Sequence, residues 1–116
     1  MLKRNADFVT AVEKADGGLG NFTMRNIFSS ESELPAHMRL ACEVIIQPGE
    51  ECKSHIHEGD TEIYYILSGR AEYEGAEGKN ILEPGDATVC YDGESHAIRS
   101  LGDMPLKFLA FIPYTK

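Results

Sequence analysis

The chain is short of positive charge: 11 Lys and Arg stand against 19 Asp and Glu, and no basic cluster is longer than Lys3-Arg4. A nucleic-acid surface needs concentrated cations to displace condensed counterions, so nucleic acid is excluded as a partner. Long apolar runs are missing too, and none approaches the roughly 20 residues of a membrane span. The basic N-terminus, Met1-Leu2-Lys3-Arg4, has no hydrophobic stretch behind it and does not read as a secretory signal. Cysteine is scarce, odd in number and widely spaced (Cys42, Cys52, Cys90), which suits neither a disulfide framework nor a paired-cysteine zinc site. The three read as small buried thiols of a reducing cytoplasm. Helical periodicity is weak everywhere. Only residues 6–14, with Ala6, Val9, Ala11 and Val12, suggest a short helical turn before Gly17-Gly18.

What remains is β-forming. The 116 residues, 42% of them hydrophobic, suffice for one core and one domain. From Gly20 onward, short runs rich in Val, Ile, Tyr and Phe alternate with Gly, Pro, Asp and Ser. The expected strands are Phe22–Phe28, Met38–Gln47, Cys52–His57, Glu62–Ser68, Gly69–Glu74, Lys79–Leu82, Ala87–Tyr91, His96–Ser100 and Leu106–Ile112. Their spacing leaves no room for crossover helices, so the strands must pair antiparallel. An all-β sandwich and a closed barrel both satisfy this pattern.

Histidine is rare as well, yet two of the four in the chain are His55 and His57. On a strand, residues i and i+2 share a face about 6.6 Å apart, so two imidazoles can lean onto one ion. Glu62 follows across the turn Glu58-Gly59-Asp60, where an antiparallel return would bring its carboxylate beside the rings. His96 opens another strand after Asp92-Gly93. Taken singly, each of these is an ordinary polar surface residue. The set carries the argument.

Their spacing also fits a known pattern. Residues 49–69 run Gly49, five residues, His55-x-His57, four residues, Glu62, six residues, Gly69. With 11 Gly, 4 His and 13 Glu available, a chance match is on the order of one in ten thousand. This resembles the first motif of the cupin superfamily, in its small single-domain form. A looser second motif follows: Gly85, five residues, Tyr91 where Pro is usual, Gly93, two residues, His96, three residues, and Ser100 where Asn is usual.

The resemblance implies a jelly-roll β-barrel, with residues 1–37 as an N-terminal extension and edge strands and 38–113 as the barrel. It implies His55, His57, Glu62 and His96 as ligands to one divalent transition metal within the barrel. Three imidazoles and a carboxylate suit Mn, Fe, Ni, Co, Cu or Zn. Similar proteins carry out oxygenation, decarboxylation or isomerisation of small polar molecules, and others bind ligands without turnover. A metal-dependent enzyme on an organic acid or sugar is the leading expectation, and a binding or sensor module is the alternative.

Strand parity places Tyr64 and Ile66 inside with Glu62, and Ile98 and Ser100 inside with His96. Tyr64 is the internal candidate to orient a substrate or donate a proton, with core packing as the plainer alternative. Ile63, Tyr65 and Leu67 then face outward, an awkward apolar stripe in water that either a second sheet layer or a partner subunit would cover. The resemblance to small single-domain cupins, many of which pair, implies a homodimer. Glu58 and Asp60 are expected at the cavity mouth. Arg25, Arg39 and Arg99 are read as solvated, and His37 as a loop or surface residue.

Overall fold

The computed structural model describes residues 1–115. A single 3-10 turn, Asn5–Asp7, precedes ten strands: β1 Val9–Glu13, β2 Phe22–Phe28, β3 Met38–Ile46, β4 Glu51–Ile56, β5 Glu62–Ser68, β6 Arg70–Gly75, β7 Gly78–Leu82, β8 Ala87–Cys90, β9 Ser95–Leu101 and β10 Leu106–Pro113. All pairings are antiparallel, in a six-stranded sheet ordered β1-β2-β3-β10-β5-β8 and a four-stranded sheet ordered β4-β9-β6-β7.

Alternation of burial along the strands explains why the two sheets face each other. On β10, Leu106, Phe108, Ala110 and Ile112 are buried while their neighbours are not. On β5, Glu62, Tyr64 and Ile66 point inward and Ile63, Tyr65 and Leu67 outward. Phe108, Ile66, Ile46, Ile98 and Leu106 are almost fully enclosed, each contributing about 1.5–3 kcal/mol from its burial.

Residues 6–14 depart from expectation. The 3-10 turn stops at Asp7, and Val9–Glu13 is strand β1, paired with β2 from Val9↔Asn26 to Glu13↔Phe22. A Val-Thr-Ala-Val run has β-branched side chains that favour an extended backbone, and an edge of β2 was free to receive it. Nine residues of apolar spacing could not separate the two periods.

Gly69 shows why the first motif ends on glycine. It links β5 to β6 at φ +81°, and a Cβ there would lie 2.5 Å from the carbonyl oxygen of Pro105. Only glycine tolerates both the left-handed backbone and that approach. The second motif's turn closes despite Tyr91 at its Pro position. Glu94 N–H donates to the Tyr91 carbonyl at 2.9 Å, and the Glu94 carboxylate accepts from Tyr91 N–H at 2.9 Å. Gly93 N–H reaches the His57 carbonyl at 2.6 Å, tying this turn to the end of β4.

Candidate metal centre

Three strands from both sheets bring the four candidate side chains together. His55 on β4 lies directly across the ladder from His96 on β9, beside an irregularity between Cys52 and His55. His57 stands just past the end of β4, its N–H bonded to the Glu94 carbonyl at 2.9 Å. Glu62 opens β5 in the facing sheet. His57, Glu62 and His96 are buried and His55 is partly so.

Their inward atoms nearly touch. His96 Nε2 lies 3.1 Å from His55 Nε2, 3.2 Å from His57 Nε2 and 3.0 Å from Glu62 Oε1. Glu62 Oε1 is 3.1 Å from His57 Nε2 and 3.7 Å from His55 Nε2. Ligands about 2.0–2.2 Å from a common ion sit roughly 3.0–4.2 Å apart, depending on the angle between them. The donors fit that range.

The outward nitrogens determine what faces the centre. His55 Nδ1 is 2.8 Å from the Lys53 carbonyl, which can only accept, so Nδ1 carries the hydrogen and neutral His55 presents a lone pair at Nε2. His57 Nδ1 donates to Asp60 Oδ1 at 2.7 Å, with the same consequence. Asp60 is held in turn by Arg39, whose Nε donates to Oδ2 at 3.0 Å. His96 Nδ1 lies 3.0 Å from the Tyr73 hydroxyl, which accepts when Nε2 is the lone pair. Each ring is thus steered by a partner behind it, the arrangement that orients histidines toward a metal. Mixed nitrogen and oxygen donors of this kind are consistent with a single metal ion.

Charge is distributed unevenly over the cluster. Burial alone would raise the Glu62 carboxyl, but hydrogen bonds with His55, His57 and His96 outweigh it and hold the group well below the usual carboxylate range. Burial works against charge on His55, yet hydrogen bonding with Cys52, Glu62 and the Lys53 carbonyl lifts it to about 10. The Glu62 hydrogen bond raises His57, with Asp60 adding to it against the opposing effect of burial. Burial pushes His96 down. The surroundings therefore favour charge on His55 and His57 and disfavour it on His96.

Tyr64 is enclosed, with its ring stacked 4.9 Å from His96 and its hydroxyl 3.5 Å from His96 Nε2. Burial and the Glu62 charge raise its phenol well above the ordinary value, so it stays protonated and can donate but not act as a base. Tyr64 is not the only phenol here. Tyr73 on β6 also touches His96, and the alternation of β6 could have flagged it as inward-facing.

Asp60 corrects the expectation of a residue at the cavity mouth. It is 6% exposed and packed behind His57. Its place three residues beyond a candidate ligand, in a turn that must fold back, was the available signal. Arg39, read as solvated, is committed through Nε to that carboxylate. Arg25 pairs with Glu43 at 2.6 Å and Arg99 lies 3.6 Å from Glu72, both away from the cluster. Cys52 is buried with its sulfur 3.9 Å from His55 Nδ1. His37 has φ +65° and borders a separate surface hollow with Leu34 and Tyr114.

The cluster opens into a cavity of about 250 Å³ between the sheets. A larger hollow, about 600 Å³, lies along β7 and β8 and holds none of the four residues.

The family model for the cupin domain matches residues 42–112, which contain all four. The chain belongs to the cupin family. This cupin is 37% identical over 97 residues to an oxalate-binding protein of Thermotoga maritima, covering 83% of this chain and 78% of the relative. The crystal structure of a predicted oxalate decarboxylase from Thermotoga maritima superposes with a TM-score of 0.86 at 29% identity, covering 98% of this cupin and 99% of that chain. A sugar phosphate isomerase of the cupin superfamily from Silicibacter pomeroyi shares the fold at 16% identity, with a TM-score of 0.78 over 97% of this cupin and 74% of that chain.

Proposed function

We propose that this cupin holds one divalent transition-metal ion on His55, His57, Glu62 and His96 and acts there on a small organic acid or sugar. The observation that carries the reading is the meeting of three imidazole nitrogens and one carboxylate oxygen, 3.0–3.7 Å apart in the five measured pairs, with each ring steered from behind. The relative named for oxalate binding supports a small acid as ligand. Such an ion, when bound, supplies a Lewis acid and a template for a chelating group. The chain's own residues do the rest. Lys53, Asp60 and Tyr73 hold the rings in place, Tyr64 offers a neutral hydroxyl beside the centre, and mainly apolar side chains line the cavity around it.

Metal analysis of the purified protein is expected to give about one equivalent per chain. His57→Ala should lose most of it while keeping its β-sheet circular dichroism. Unchanged metal content in that variant would refute the assignment.

One observation favours a second reading, a binding module without turnover. The Tyr64 phenol, stacked on His96, is raised well above its ordinary value by burial and the Glu62 charge, so it donates a proton rather than taking one from a substrate. Incubation of the metal-loaded protein with small carboxylates and sugars separates the two: product or oxygen uptake marks an enzyme, and tight binding without product marks a module.

The same proposal includes a homodimer. Ile63, Tyr65 and Leu67 are exposed on the outer face of β5, and Val89, across the ladder from Ile63, extends the patch. A second copy of the sheet would cover them. The three buried, unpaired thiols accord with a reducing compartment, and we place the protein in the cytoplasm.

A further inference from the structure

We infer that the preferred ligand is a small monoanionic acid with a chelating head and a short apolar tail, rather than a compact dianion such as oxalate. This rests on the proposed metal centre and concerns the wall that faces it. Beyond the cluster, the 250 Å³ cavity is lined by Leu19, Phe22, Met24, Leu40, Val44 and Ile112. Met24 and Leu40 are only partly covered by the core, so their side chains retain surface for a ligand to bury. Oxalate is all carboxylate and offers these side chains no hydrocarbon.

Charge points the same way. The lining carries one guanidinium, Arg39, and two carboxylates, Glu13 and Glu62. Arg39 already answers Asp60 at 3.0 Å. Even with a divalent ion present, the sum over the lining does not exceed +1. The smaller the ligand's charge, the less of it goes uncompensated against the apolar wall, where unpaired charge is strongly disfavoured. A 2-oxo or 2-hydroxy acid meets both conditions. Its carboxylate and neighbouring oxygen form the chelating head, and its alkyl group lies on the wall.

The test is titration calorimetry on the Mn(II)-loaded protein with oxalate, pyruvate, 2-oxobutanoate and 2-oxopentanoate. Affinity is expected to rise about fourfold for each added methylene, the worth of one buried CH2. 2-Oxopentanoate, two methylenes longer, should bind about fifteenfold tighter than pyruvate on the same basis, and tighter than oxalate. Met24→Gln, similar in shape but polar, should flatten the gradient. Oxalate binding as tightly as the longest acid, or a flat series in the unaltered protein, would overturn this inference and leave the metal centre standing. Binding by none of the acids to protein shown to hold its metal would overturn the acid reading and the inference together. Metal content independent of His57 would instead remove the proposed centre itself.

Discussion

Asp60→Asn is the substitution that most directly tests how the centre is built. Asp60 accepts from two donors at once, His57 Nδ1 at 2.7 Å and Arg39 Nε at 3.0 Å, and it is 6% exposed. Asparagine keeps the shape but has one carbonyl oxygen in place of two carboxylate oxygens. It can accept from His57 or from Arg39 with good geometry, and its amide then confronts the other donor. If His57 loses, its ring is free to turn or to change tautomer, and the lone pair leaves the centre. Loss of such a partner behind a metal-bound histidine typically costs 10–100-fold in metal affinity, or about 1.4–2.7 kcal/mol. The assay is competition against a fluorescent chelator, with circular dichroism and urea unfolding as the check on folding. Arg39→Met is the companion: it leaves the Asp60–His57 bond in place and should weaken metal binding by less than tenfold. Metal affinity of Asp60→Asn within about threefold of the unaltered protein would refute the claim that Asp60 orients the ring.

Three further outcomes follow from the same structure. Gly69→Ala should lower the urea midpoint by the equivalent of at least about 1–3 kcal/mol, because alanine disfavours φ +81° and its methyl would meet the Pro105 carbonyl; an unchanged midpoint would show that the link between β5 and β6 relaxes freely. Metal uptake near neutral pH should release protons, since His55 and His57 are both raised in the metal-free fold, and calorimetry in buffers of different ionisation enthalpy measures the release. Metal affinity should accordingly climb with pH toward the His55 value of about 10, whereas the stability that His55 gives the metal-free fold is full below its ordinary value of about 6.5 and is lost over that same rise. A release of no protons would contradict the charge distribution. Tyr65→Lys, on the outer face of β5, should shift the protein from dimer to monomer by light scattering without loss of sheet signal; a monomer in the unaltered protein would refute the proposed pairing.

How much of this was legible beforehand depends on the range of the interactions involved. Strand alternation is a local property, and it placed Glu62, Tyr64 and Ile66 inside and Ile63, Tyr65 and Leu67 outside as the sheet has them. The spacing of His55, His57, Glu62 and His96 singled out four residues that do meet. What escaped was set by pairing across the chain. Strand β1 exists because β2 offers it an edge, so the nine residues alone gave an undecided period. Tyr73 comes beside His96 because β6 pairs with β9, placing it opposite Ile98, and no pattern within β6 announces that neighbour. Asp60 was legible as a turn residue but not as a buried one, since its enclosure depends on Arg39 arriving from β3. The same division holds for function. The atoms that face the centre are written into a compact motif, whereas the groups that aim them (Lys53, Asp60 and Tyr73) and the cavity wall, largely from β2, β3 and β10, are assembled by the fold. Ligand preference rests on that assembled wall. Two cupins with identical metal-facing residues can therefore bind different molecules, and substituting Met24 or Leu40 should change which acid binds while the four candidate ligands stay as they are.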